Sequence, residues 1–457
     1  MHGDFSLNPL AYRPDVSRVL FQQGRVQLDS DVNEQTESQL RFLRGLAIDS
    51  FGAHGGIKNS FELIPKSAAP GLDMLIRWGV YYVDGIRCVN APDGFDILDI
   101  GANGWKGTDG LSFRNQPNYF VTEEDKWDAN EPLLLYLDVF EHHISAAEDD
   151  NLREVALLGP DTASRSVVVW QVRAMPAKAF VDRLKSLKTP VPEPWASTWD
   201  PPYIALNLVL RSNALMRARA ILTETTDPCT ISPDARYRGI ENRLFRVEIH
   251  DGGSIAGKSQ PMFKWSPDNG AIVYPLREKI DGLTIHLSSL GRDDRTSIRI
   301  NDWVEVVDRH TLLMGVTNPL LQVVDVDPHR MTVTLSEKPK DNVGNDLRLD
   351  PILRRWATAP VPLREGKNER DGWFELSDGV EVQFSHAARP DFPYRTGDYW
   401  LVPARTATGD VIWPPDSGDP IFVAPHGIDH HYAPLATVDP KTPKIIDDYR
   451  RHFEPRL

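Results

Sequence analysis

Cysteine is nearly missing from the chain: 457 residues carry two, Cys88 and Cys229. Two distant cysteines make neither a disulfide framework nor the close-spaced knuckle of a zinc site, so both read as small packed hydrophobes. Long apolar runs are missing as well. No stretch reaches the roughly 18 uninterrupted apolar residues of a membrane span, and the opening MHGDFSLNPLAYRPD has no basic or apolar signal region. The chain is therefore expected to span no membrane and to be cytoplasmic at synthesis. Positive charge is in deficit, with 51 Lys+Arg against 65 Asp+Glu and no long basic stretch, which argues against a nucleic-acid partner. G-x-S-x-G, P-loop, G-x-G-x-x-G and H-E-x-x-H signatures do not occur either, and no catalytic residue, cofactor site or metal site is nominated.

Hydrophobic residues make up 41% and charged residues 25%, which leaves no room for a largely disordered chain. The length calls for two or three domains. The 36 Pro and 31 Gly suit many short strands joined by turns. Asp84-Gly85, Asp251-Gly252, Asn269-Gly270, Asp281-Gly282 and Asp378-Gly379 each lie beside β-forming runs such as YYV, LFRVEIH or VEVQF. The expected fold is mainly β with a minor α component: two or more β-sandwich or barrel-like domains preceded by an N-terminal hairpin and amphipathic helix. LLLYLDVFEHHIS (133–145) reads as a strand crossing a core, with SVVVWQVRAM (166–175) as its partner. Prolines at 190, 192, 194, 201 and 202 forbid regular helix and central strand, so 185–202 reads as a linker or loop. The expected organisation is an arm over 1–52, a first β-rich domain over 53–184, that linker, a second β-rich region over 203–436 beginning with PYIALNLVLR, and a tail over 437–457.

The N-terminal arm is the most legible segment. VLFQQGRVQL (19–28) is two short extended runs either side of Gly24, and Asp29, Ser30 and Asp31 offer helix N-caps. Asp31 and Glu34 stand at capping-box spacing. Val32, Thr36, Leu40, Leu43 and Ala47 then recur at helical spacing, widened by Phe42 and Leu46, predicting about five turns that end at Gly52. Such an arm either docks on another chain or lies as a lid over its own domain.

Other motifs reduce to structural duty. Asp29, Asp31 and Asn33 open like a calcium loop, but the sixth position is Glu34 and the twelfth Leu40, where Gly and Glu are required. The pairs His142-His143 and His430-His431 would project to opposite faces of a strand, so neighbours cannot chelate one ion together. Among the carboxylates, Asp138, Glu141, Glu154 and Asp161 are the candidates for a glycosidase pair, yet no spacing nominates two of them.

Taken together, SRVLFQQGRVQLDSDVNEQ (17–35), YYVDGIRC (81–88), YLDVFEHHISAAEDDNLREVALLGPDTASRSVVVWQV (136–172), ENRLFRVEIHDGG (241–253), FKWSPDNGAIV (263–273), YRTGDYWLVPARTATGDVIWP (394–414) and HGIDHHYAPLA (426–436) resemble a bacterial family known only as a domain of unknown function. The resemblance spans nearly the whole chain. Its first block is similar to N-terminal segments of tail-fibre and baseplate proteins of contractile phages and phage-tail-like extracellular injection systems, whose relatives carry right-handed β-helix regions of the spike or fibre kind. The chain departs in having Pro267 and Val32 where the family pattern favours WSRDNG and DADWNE, and in ending soon after HHYAPLA, so no appended fibre or enzyme domain is expected. The resemblance implies a non-enzymatic structural component of a contractile injection particle, at or near the baseplate, which becomes part of an assembled, released or surface-facing particle. Expected partners are other copies in trimeric or hexameric symmetry and other particle proteins, through Phe21, Gln22, Gln23, Arg25, Val32, Glu34, Leu40, Leu43 and Ala47. The alternatives are a carbohydrate-binding or receptor-recognition module that stacks a glycan on Trp195, Trp199 and Trp413, and a glycan-degrading enzyme.

Overall fold

The computed structural model describes residues 1–6, 15–67, 72–92, 110–120, 130–187, 200–222, 235–255, 257, 259–340, 343–366, 371–385, 393–416 and 418–453. Strands dominate, as expected. Helices among the described residues are α1 (Asp29–Phe51), α2 (Ala177–Ser186), α3 (Pro201–Leu210) and α4 (Arg309–Met314). Contacts group the chain into two units, and neither is one continuous stretch: the first takes Met1–Glu37, His143–Ser166 and Ser212–Ile428, the second Ser38–His142, Val167–Arg211 and Asp429–Leu457. The divisions drawn from sequence at 52, 184, 202 and 436 therefore differ from these. Composition marks where a chain is irregular, whereas a unit is defined by which distant strands pair.

The first unit holds two cores. In one, a five-stranded sheet centred on Arg243–Asp251 and Tyr399–Arg405 and a three-stranded sheet of Trp373–Glu375, Val380–Ser385 and Leu215–Ala220 bury a common layer that includes Phe245, Val247, Phe263, Phe384 and Trp400. In the other, a six-stranded sheet runs from Val273–Pro275 to Thr284–His286. Amides of Arg277 and Ser288 donate to the carbonyls of His286 and Pro275, closing that sheet on itself around Ile285, Val304, Val323 and Leu353. Closure leaves few open edges.

In the second unit, Leu133–Ile144 and Arg165–Pro176 are neighbours, as their sequences predicted, in a sheet completed by His431–Asp439 and Lys444–Asp448. Pro434 has no N–H to give, and the register shifts by a bulge between it and Ala436. Helices α2 and α3 cover this sheet through Phe180, Ala205 and Leu206. PYIALNLVLR is thus helix rather than strand. Asp200 caps α3 by accepting from the amide of Tyr203, and Pro201 and Pro202 stand in its first turn, where no N–H is needed. A second sheet aligns His452–Phe453, His54–Ile57, Gly79–Val83 and Ile86–Asn90, so the C-terminal tail is a strand of its own unit.

Of the predicted turns, Asp84-Gly85 and Asp378-Gly379 are hairpin tips with both residues at positive φ. Asn269-Gly270 also takes positive φ, but it carries the chain from one sheet to another. No described helix is long and apolar enough to cross a membrane.

Candidate assembly surface

Residues 15–28 lead into α1 as an extended segment. The amide of Arg25 donates to the carbonyl of Gln22, closing a turn at which Gly24 has φ 72°. The turn was expected, but the hairpin does not form: none of residues 15–28 belongs to a strand. Leu20, Phe21, Val26 and Leu28 are all exposed, and Gln22, Gln23 and Arg25 with them. Two short runs with no apolar layer beneath them do not make a stable ribbon. What remains is a mostly exposed stretch outside any helix or strand, tied down at Val19, whose amide donates to Gln35 Oε1.

Helix α1 begins at Asp29, earlier than the caps implied. Asp31 sits on its third residue and accepts from the amide of Leu28, which is the return half of a capping box, while Asp29 accepts from the amide and hydroxyl of Ser6. Burial pushes the Asp29 pKa up, but the Ser6 bonds more than offset this and hold it below the usual carboxylate range. The helix is pinned at its other end as well: Arg44 pairs with Glu141 at 2.9 Å, and the Phe51 ring stacks on Phe453 at 4.4 Å. Gly85 lies against it so closely that a Cβ would stand 2.4 Å from the Arg44 carbonyl oxygen.

Apart from Leu40, the side of α1 that is covered is polar or small. Ser30 and Ser38 are buried, and Glu34, Leu40, Arg44, Gly45 and Ala47 are half-buried. Val32, Phe42, Leu43 and Leu46 are each half or more exposed. The expected contact set is thus divided: Val32 and Leu43 face solvent with Phe21, Gln22, Gln23 and Arg25, whereas Glu34, Leu40 and Ala47 lie toward the covered side. Covering each exposed apolar side chain of the helix by a partner would contribute roughly 1 kcal/mol, from the area left in water. A lid would show the opposite orientation, apolar side in.

A second exposed apolar feature escaped the sequence reading, because its signal is three aliphatics in a loop with no period. Val155, Leu157 and Leu158, the last 98% exposed, stand on a turn of 3-10 helix. Glu154 caps that turn, and Arg153 braces it through Asp150 and the carbonyls of Gly159 and Ala146.

The remaining motif blocks face inward. In the second unit, Asp84 accepts from His431 Nδ1 at 2.8 Å and from the Tyr203 hydroxyl at 2.5 Å. Asp138 accepts from His430 Nδ1 at 2.7 Å and from Arg173 at 3.2 Å. The neighbouring histidines thus engage different carboxylates. His54 Nε2 donates to Asp200 at 3.0 Å, which leaves Nδ1 to accept from the Tyr81 hydroxyl at 2.8 Å, and Arg451 pairs with Asp200 at 2.7 Å. In the first unit, Glu248 is buried between Arg246 at 2.6 Å, Lys264 at 3.3 Å and His2 at 3.2 Å, and Lys264 reaches Glu305 at 2.6 Å. Burial alone would raise the Glu248 pKa, but Arg246 and Lys264 hold it well below the ordinary value. These carboxylates are engaged by partners from distant parts of their own units. The four glycosidase candidates are similarly engaged: Asp138 and Glu141 as above, Glu154 as a cap, and Asp161 with Arg292.

Of the glycan-stacking residues, Trp413 is 9% exposed within the sandwich core and donates to the carbonyl of Ile421, so its ring offers no platform. Trp195 and Trp199 lie outside the described residues, as does Cys229. Cys88 is buried, and burial pushes its thiol pKa up. Among the described residues, no group of three or more His, Cys, Asp or Glu is placed to hold a metal ion.

No curated protein and no solved structure matches the chain. A family described as a family of unknown function (DUF6519) matches residues 1–196 and 204–445.

Proposed function

Because the chain belongs to that family of unknown function, its role has to be argued from its own surface, and we propose that it is a structural component of a phage-tail-like contractile particle. It would act at or near the baseplate, without catalysis, through homo-oligomeric assembly. The observation that carries this reading is the orientation of α1: an ordered helix pinned at both ends turns Val32, Phe42, Leu43 and Leu46 outward, beside an extended segment with Leu20, Phe21 and Val26 exposed. Exposed apolar side chains on a continuous ordered element are the mark of an association surface. The particle class in this proposal rests on the resemblance of the first block, residues 17–35, to tail-fibre and baseplate segments.

Co-sedimentation tests it. A chain tagged at its C-terminal end and expressed in its own host is expected in the high-mass fraction with sheath and tube proteins; a chain confined to the low-mass fraction would sink the reading. Removing residues 1–52 is a poor test, because His2 and the carbonyls of Met1 and Gly3 meet Glu248, Arg246 and Asn269 in the first unit. Replacing Leu43 and Leu46 by Glu removes the surface and leaves those contacts in place.

A further inference from the structure

Positions 32, 36, 39, 43, 46 and 50 of α1 follow one another at steps of four, three, four, three and four, and all six are exposed. At about 100° per residue they form one narrow stripe, turned about 120–140° away from Ser38 and Gly45 on the covered side. A 3.5-residue repeat of this kind is the seam of a coiled coil, and the one here is Val32, Thr36, Gln39, Leu43, Leu46 and Ser50. Two of its polar members are already satisfied. The Thr36 hydroxyl donates to the carbonyl of Val32 at 3.1 Å and the Ser50 hydroxyl to that of Leu46 at 2.7 Å, so the Thr36 methyl and the Ser50 Cβ are what they offer a neighbour. Gln39 remains as the amide in the middle of the seam.

We infer that the occupant of this seam is α1 of a second copy of the chain, parallel and in register. The inference deepens the assembly reading and rests on it. Charge carries the choice of partner. The positions flanking the seam are Asn33, Gln35, Leu40, Phe42, Ala47 and Asp49, of which only Asp49 is charged, while Glu34, Glu37, Arg41 and Arg44 lie off the seam. Identical copies therefore meet without like charges opposed along the contact, and an acidic or basic helix would find no complement. In the parallel register each Gln39 faces its own counterpart, and an amide both donates and accepts, so the pair satisfies itself. A shift by one heptad would set Gln39 against Leu46 or Val32 and leave the amide unpaired, which is how a single polar seam residue fixes register.

Two variants of the full chain, Val32→Cys and Leu46→Cys, each adding one cysteine to Cys88 and Cys229, test this under mild oxidation, with the unmodified chain as background and Arg41→Cys, on the far side of the helix, as control. In-register parallel helices bring both 32 to 32 and 46 to 46, about 21 Å apart along the axis. Both variants are expected to give covalent dimers on the order of tenfold above the Arg41→Cys control, because only seam positions come within disulfide reach. Mapping of the linked peptides should return 32–32 and 46–46. An antiparallel pair can bring at most one of those positions to itself. Cross-linking of one variant alone, or of neither, overturns the inference; if the tagged chain still co-sediments with the particle, the assembly reading survives that failure. Cross-linking of both in a chain absent from any particle would instead keep the coil and remove the particle.

Discussion

Replacing Asp84 by Asn separates charge from shape at the clamp on His431. Asp84 has φ 46° at the hairpin tip, a left-handed position that Asn adopts as readily as Asp. The turn is kept and the carboxylate is lost. Burial by itself would lower the His431 pKa, but Asp429 and Asp84 raise it from 6.5 to about 9. At 1.36 kcal/mol per unit, that gap corresponds to about 3 kcal/mol of stabilisation. The Asp429 side chain is 83% exposed and that of Asp84 16%. Water screens the former, so Asp84 supplies the larger share, roughly 2 kcal/mol. Because the folded state holds the proton more tightly, the contribution is complete below the unfolded pKa and is lost as pH rises through the folded one. Urea melts of Asp84→Asn should show a deficit of roughly 2 kcal/mol at about pH 6 that largely disappears by about pH 10, where the imidazole is neutral in both states. What persists there is the exchange of a charged for a neutral acceptor of the Tyr203 hydroxyl. Imidazole NMR should place the wild-type His431 midpoint near 9 and that of the variant lower. A deficit of constant size across this range, or a wild-type midpoint near 6.5, would refute the reasoning.

Gly85→Ala puts a Cβ against the Arg44 carbonyl at a residue with φ 76°, and should cost about 2 kcal/mol or more, read by chemical denaturation. Lys264→Met removes the ammonium that pairs with the buried Glu305 and leaves Glu248 to Arg246 and His2, and a loss of about 3–5 kcal/mol is expected in the same assay. Trp413→Ala opens the sandwich core and should cost about 3–5 kcal/mol; unchanged stability would reopen the glycan reading. The Leu43→Glu and Leu46→Glu pair should leave the melting temperature within a few degrees of the wild type, since both side chains already face water, whereas a helix serving as a lid would unfold with it.

Much of the fold was readable because it rests on local rules. The apolar run that opens 133–145 and the Val-rich run of 166–175 mark neighbouring strands, and Asp84-Gly85 marks a hairpin. What failed was decided by distant partners. PYIALNLVLR is apolar enough for either a strand or a buried helix, and the preceding Asp-Pro-Pro bars a strand or helix interior but equally suits a helix start, as it does here. The hairpin at Gly24 needed a layer to lie on, which local sequence cannot supply. The stripe expected on α1 is divided, with Val32 and Leu43 in solvent and Leu40 and Ala47 toward the covered side, because periodicity alone does not say which side faces water. Covering the polar side takes particular long-range contacts, Ser6 to Asp29 and Arg44 to Glu141.

That inversion links the two classes of motif block. Asp84, Asp138, His430, His431, Arg246, Glu248 and Lys264 engage one another or nearby strands, so each unit is held by polar clamps as well as by its apolar cores. Stability supplied in this way does not draw on the exposed Leu20, Phe21, Val26, Val32, Phe42, Leu43 and Leu46. Those side chains are a cost to the isolated chain, since exposed Leu and Phe favour aggregation and return nothing while they stay in water. Their contribution begins only when a partner covers them, and the pins at Asp29, Arg44 and Phe51 mean that little ordering entropy is then left for association to overcome.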